Sequence, residues 1–124
     1  MKKIIQVTIL FFFGYITMVG QTKETKVADH FFKNLSYERA SVAYSKLAEK
    51  EATEHVLKML GDSYYFNVKM QEASEAYAKL FTNFKPEDSE YMFKYAQSLR
   101  SIGKFDASNI WMRKFHKANE KDTR

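Results

Sequence analysis

The chain contains no cysteine, so no disulfide supports its fold. Proline occurs once, at Pro86, and glycine four times, with Gly14 and Gly20 close to the N-terminus. So few breakers favour long helices over a fold built from tight hairpins. Glycine-rich phosphate loops are missing, as are an HExxH pair and a GxSxG elbow. His30, His55 and His116 stand alone, without a second ligand at metal spacing, and read as exposed helix histidines. Ser63 follows Gly61 and Asp62 but falls inside a helical stretch. Acids alternate with lysines at helical spacing, as in Glu75 and Lys79, the pattern of solvated pairs. With no catalytic constellation spelled out, the expectation is a non-catalytic protein without metal or cofactor.

What is present is apolar enough to pack. A hydrophobic share of 45% and an aromatic share of 16% exclude a disordered chain. A length of 124 residues leaves room for one domain.

The N-terminal stretch MKKIIQVTILFFFGYITMVGQ has a basic start at Lys2 and Lys3, then an uncharged apolar run from Ile4 to Val19. That run is short for a spanning helix, which needs about 20 residues, and suits a signal peptide over residues 1–20. Gly20 offers a small residue at the cleavage point before Gln21, although Met18 fits poorly two positions earlier. The rival reading is an uncleaved inner-membrane anchor. Both readings place the rest of the chain outside the cytoplasm, in the periplasm or on the periplasmic face of the outer membrane. Without a cysteine at the cut, lipoprotein acylation is excluded. Residues 1–20 hold two lysines and no acid, so without them the formal charge of +5 becomes +3. A mild excess spread along the chain is a solvated surface and does not point to nucleic acid.

From residue 22 onward the chain aligns with itself at offsets of 33 and then 35. One column holds Ala28, Gly61 and Ala96, all small; the next holds Phe31, Tyr64 and Leu99. Others hold Tyr37, Met70 and Phe105, then Ala40, Ala73 and Ser108, then Tyr44, Tyr77 and Met112, then Leu47, Leu80 and Phe115. Small residues let two helices approach closely, and large ones three or four positions away fill the space beside them. Between the halves of each copy stand Asn34, Asn67 and Gly103, residues that tolerate the left-handed conformation ending a helix. Each copy therefore reads as helix, short turn, helix. Pro86, followed by Glu87 and Asp88, marks the start of the third.

This pattern resembles the tetratricopeptide repeat, whose period is near 34 residues. The resemblance implies an all-α fold of three helix-turn-helix repeats, at about 22–51, 53–85 and 87–118, forming a short right-handed solenoid within a domain over 21–118. A polar tail, 119–124, follows. The chain departs from the pattern in lacking the early tryptophan of the first helix, in carrying Ser108 at a small position, and in having only Pro86 between repeats. A narrower resemblance rests on LGDSYYFN, KYAQSLRSIGKFD and KANEKDTR, which look like the N-terminal region of Bacteroidota OmpA-family envelope proteins. That resemblance implies protein partners in the cell envelope, outer-membrane or secretion-machinery components among them, with a membrane reached only through an uncleaved targeting segment. The peptidoglycan-binding part of that family has no counterpart here.

In a tetratricopeptide stack the first helices of successive repeats line a concave groove. Transferring that geometry places Asp29, Phe32 and Lys33 in the groove, with Lys58, Asp62, Tyr65 and Phe66 from the second copy and Phe93, Gln97 and Arg100 from the third. Tyr64, Met70, Ala73, Tyr77 and Leu80 occupy repeat columns and read as packing. The family's carboxylate clamp is not reproduced: the corresponding positions carry Thr25, Asp29, Met59, Glu90 and Lys94, and two of these are acids. A partner held by aromatic and apolar contacts is the expectation, and a structural spacer with an empty groove the alternative, with an unrecognised enzyme remote. The last helix carries Ile110, Trp111, Met112 and Phe115, expected to form an incompletely covered docking face.

Overall fold

The computed structural model describes residues 22–120. The expected signal peptide and the end of the polar tail lie outside the described residues. Six α-helices and no strand make up the described part: α1 (Lys23–Lys33), α2 (Tyr37–Lys50), α3 (Glu54–Phe66), α4 (Met70–Asn83), α5 (Glu90–Ser101) and α6 (Phe105–Asn119). They pack as three hairpins, α1 on α2, α3 on α4 and α5 on α6. The hairpins join through α2 against α3 and α4 against α5, and α1, α3 and α5 also touch in sequence. The result is a helical repeat.

Each hairpin turns by the same backbone device. In the first, Leu35 N–H donates to the Phe32 carbonyl and Ser36 N–H to the Phe31 carbonyl, at 3.0 and 2.9 Å. Val68 and Lys69 repeat the pair on Tyr65 and Tyr64, and Gly103 and Lys104 repeat it on Arg100 and Leu99. These paired bonds close a Schellman motif, which needs one left-handed residue just past the helix end. That residue is Leu35 (φ 58°), Val68 (φ 61°) and Gly103 (φ 82°). The expectation for Asn34 and Asn67 is corrected here: both keep negative φ as the C-cap residue, one position before the left-handed one. The structural column 35, 68, 103 obeys the 33 and 35 offsets, which the set 34, 67, 103 did not.

Helix starts are set by side chains where the sequence supplies them. The Thr22 and Thr53 hydroxyls accept from the N–H of Thr25 and Val56 at 3.3 and 3.1 Å. Before α5, the Asp88 carboxylate accepts from Glu90 N–H at 2.9 Å, so Asp88, one of the two acids after Pro86, serves the helix start.

Most of the repeat columns face the core, but Phe105, at the column of Tyr37 and Met70, is 60% exposed. Ala28, Ala40, Tyr44, Ala73, Tyr77, Leu80 and Ala96 have no exposed surface. Gly61 is required by contact: a Cβ there would stand 2.4 Å from Cε1 of Tyr77. Tyr64 and Met70 are only half-buried, and Tyr64 packs against the clusters of both the first and second hairpins.

Candidate functional site

Helices α1, α3 and α5 share one face, and two aspartates on it are tied into the fold. Asp29 of α1 accepts a hydrogen bond from the Tyr44 hydroxyl of α2 and lies 3.1 Å from His55 Nε2 of α3. Thirty-three residues later Asp62 repeats the arrangement: the Tyr77 hydroxyl donates to it at 2.6 Å, and Lys94 Nζ of α5 at 2.7 Å. The Tyr91 hydroxyl adds a longer contact at 3.4 Å. In each hairpin the tyrosine stands fifteen residues after its aspartate. The third hairpin has Gln97 and Met112 at these places, and its helices are tied instead by Ser108 Oγ donating to the Ala96 carbonyl at 2.7 Å. Burial, with Asp62 beside them, pushes the Tyr77 and Tyr91 hydroxyls well above the ordinary tyrosine pKa. Burial and the Asp29 carboxylate do the same to Tyr44.

Asp62 is therefore corrected as a groove residue. It is 6% exposed, and its charge is matched by Lys94, whose side chain is only 12% exposed. A buried carboxylate between two donors holds helices together and has little left to offer a ligand. Sequence pattern reads an acid as solvated; the signal that could have corrected this was its fixed fifteen-residue relation to a column tyrosine.

Phe66 is the hub of the exposed part of the face. Its ring lies 6.2 Å from Phe32 of α1, 5.4 Å from Tyr37 of α2 and 5.5 Å from Tyr65. Lys94 Nζ stands 5.7 Å from its centroid. Phe66 is nevertheless 47% exposed. Tyr65 differs: it is half-buried, meets the Tyr77 ring at 6.5 Å, and belongs partly to the core of the second hairpin. Burial raises its hydroxyl pKa, with Asp62 and Glu90 adding to the shift.

Beside this cluster lies an open depression of about 660 Å³ lined by Lys26, Asp29, His30, Phe32, Lys33, His55 and Met59. It brings together Asp29, Phe32 and Lys33 of the expected groove. Lys58 sits 3.4 Å from Glu54 and 5.3 Å from the Tyr91 ring. Phe93 packs at 5.3 Å against Phe115 of its own hairpin. Gln97 is half-buried and Arg100 exposed, and no hydrogen bond or ring contact joins either to the Phe66 cluster among the described residues. A smaller cleft of about 330 Å³ opens between α2 and α4, with Leu57, Leu60 and Tyr64 of α3 among its lining residues.

The four residues of the expected docking face do not form one uncovered patch. Trp111 turns onto Phe81 at 4.4 Å and Tyr95 at 5.0 Å, with Lys114 Nζ 4.1 Å from its ring. Met112 and Phe115 are half-buried, and only Ile110, 49% exposed, points outward. The aromatics of α4 and α5 supply the cover that pattern reading of α6 alone could not see.

Among the described residues, no group of three or more His, Asp or Glu side chains is placed to hold a metal ion. No helix among them is long and apolar enough to cross a membrane.

No family profile matches the chain. It is 32% identical over 81 residues to the tetratricopeptide repeat protein 30 homolog of Drosophila pseudoobscura pseudoobscura. The protein is tetratricopeptide-like. The match takes in 65% of this chain and 12% of that relative, so the chain spans a small part of the curated protein it resembles.

Proposed function

We propose that the chain is a non-catalytic protein–protein interaction module, holding a segment of a partner on the face of α1, α3 and α5. The observation that carries this reading is Phe66: an aromatic ring left 47% exposed at the centre of a cluster drawn from the first two hairpins. Aromatic anchors ringed by partly buried neighbours are the usual centres of binding energy. In this reading the hairpins form a short right-handed solenoid with that face on its concave side.

The finer reading places the module in the cell envelope, exported by the segment 1–20 and joined to an outer-membrane-associated assembly of the OmpA type. Its support is the basic-then-apolar N-terminal sequence and the phrases LGDSYYFN and KYAQSLRSIGKFD. Residues Ile110 and Phe105, both exposed on α6, are a secondary contact in this reading.

Affinity-tagged protein and its Phe66→Ala variant, purified from the source cells, test the module. Partner recovery should fall about ten-fold or more, the loss expected of a central anchor. Stability should fall only by about 1–2 kcal/mol, the value of a few aromatic contacts. Equal recovery of the same partners by both proteins would favour a spacer with nothing bound on this face.

A further inference from the structure

We infer that the segment held on this face is acidic, with side-chain carboxylates three residues apart seated on Lys26 and Lys33. The inference rests on the binding role proposed for the face and specifies its ligand.

The charge on the face is set by which groups are already paired. Asp29 lines the depression, but its carboxylate is occupied by the Tyr44 hydroxyl and His55 Nε2. Asp62 is occupied by Tyr77 and Lys94, and Lys94 is neutralised in turn. Lys58 has Glu54. Lys26 and Lys33 are exposed and form no ion pair among the described residues. Asp29 keeps its negative charge, since the Tyr44 hydroxyl is neutral, but its oxygens are engaged within the fold and two lysines outnumber it. His30 and His55 add two imidazoles to the rim. The lining of the depression is net positive, with two lysines against one aspartate.

Spacing narrows the ligand. Lys26 and Lys33 are seven residues apart on α1, two helical turns along one face, or about 10 Å at 1.5 Å per residue. A segment in the polyproline II conformation, with three residues per turn and a rise of about 3.1 Å each, places residues i and i+3 on one face about 9 Å apart. Phe32 and Met59 supply the apolar lining of the same depression, and the Phe32 ring leads on to Phe66. A segment with acids at i and i+3, an apolar side chain between them and another beyond satisfies each of these groups. Lysine ammoniums make charge-assisted hydrogen bonds to such carboxylates, stronger than neutral ones.

The test is selection from a random twelve-residue peptide library, displayed with C-termini fused to the carrier so that only side-chain carboxylates are offered. The bait is the whole chain. Selected sequences should be several-fold enriched in Asp and Glu, paired at i and i+3 beside an aromatic or aliphatic residue. A synthetic consensus peptide should lose about ten-fold in affinity when its two acids become amides, equal to 1.4 kcal/mol. Lys26→Glu with Lys33→Glu should abolish the acidic preference. Lys26→Gln with Lys33→Gln should weaken it with the circular dichroism unchanged, which separates lost charge from lost fold. Peptides without acid enrichment, bound with unchanged affinity after the lysine changes but lost in Phe66→Ala, would overturn the acidic ligand while the binding face stands. No enrichment over bare carrier, with Phe66→Ala indistinguishable from the parent, would overturn both.

Discussion

Lys94 of the third hairpin reaches across to Asp62 of the second, Nζ to Oδ1 at 2.7 Å, with both side chains almost fully covered. This contact joins neighbouring repeats through charge at a place where pattern alone suggests two solvated side chains. Removing one partner of such a pair leaves the other charged and buried. Lys94→Met should therefore cost about 3–5 kcal/mol in urea unfolding. Replacing both, with Asp62→Leu beside Lys94→Met, should return part of that loss, although Tyr77 is then left without its acceptor. Equal unfolding midpoints for Lys94→Met and the parent would show that the pair is solvated.

Gly61 gives a second, purely steric expectation. Because a Cβ there would meet the buried Tyr77 ring at 2.4 Å, Gly61→Ala should destabilise by about 1–3 kcal/mol despite alanine's better helix propensity. Ala28, its repeat counterpart, already carries a Cβ against the first hairpin, so the intolerance is local to the second. A rise in melting temperature for Gly61→Ala would contradict this account.

Leu35 and Val68 hold left-handed backbone, a conformation unfavourable by roughly 1–2 kcal/mol for residues with a Cβ and worst for a branched one. Their side chains are 70% and 76% exposed, so little packing is lost on removal. Leu35→Gly and Val68→Gly should each stabilise by about 1 kcal/mol, raising the melting temperature by about 4–8 °C in a domain of this size. Calorimetry on the single variants checks it; a fall in melting temperature would mean that the side chains contribute contacts the fold does not reveal.

Three tyrosines set the alkaline limit. Tyr44, Tyr77 and Tyr91 have folded pKa values raised above the ordinary 10.0, chiefly by burial. Above pH 10 the unfolded chain loses these protons while the folded chain keeps them, so the folded state binds more protons and stability falls as pH rises. Their contribution is fully present below pH 10 and lost above it. Urea midpoints should hold steady in the neutral range and drop steeply beyond pH 10. Tyr91→Phe, which leaves Tyr77 on Asp62, should flatten that drop; an unchanged slope would refute the assignment of Tyr91.

The sequence made the packing legible and left the polar interior hidden. Small and large residues recur at the repeat offsets because helix contact demands them, so Ala28, Gly61, Tyr77 and Leu80 could be read directly as core. Asp29 and Asp62 could not, since an acid's usual place is in water and only its partners reveal otherwise. The turns misled for a related reason: propensity favours Asn and Gly at a left-handed position, whereas Leu35 and Val68 occupy two of the three. Phe66 was legible as off the repeat columns, but its contacts with Phe32 and Tyr37 depend on how hairpins meet.

The most direct test of the binding face is site-specific photo-crosslinking in the source cells. A photoreactive phenylalanine analogue replaces either Phe66, 47% exposed on the α1–α3–α5 face, or Val42, 50% exposed on α2. Similar exposure makes random collision comparable at the two sites. The account predicts a discrete protein adduct at position 66 and none at position 42. Adducts of equal yield and identity at both positions, or none at position 66, would contradict it.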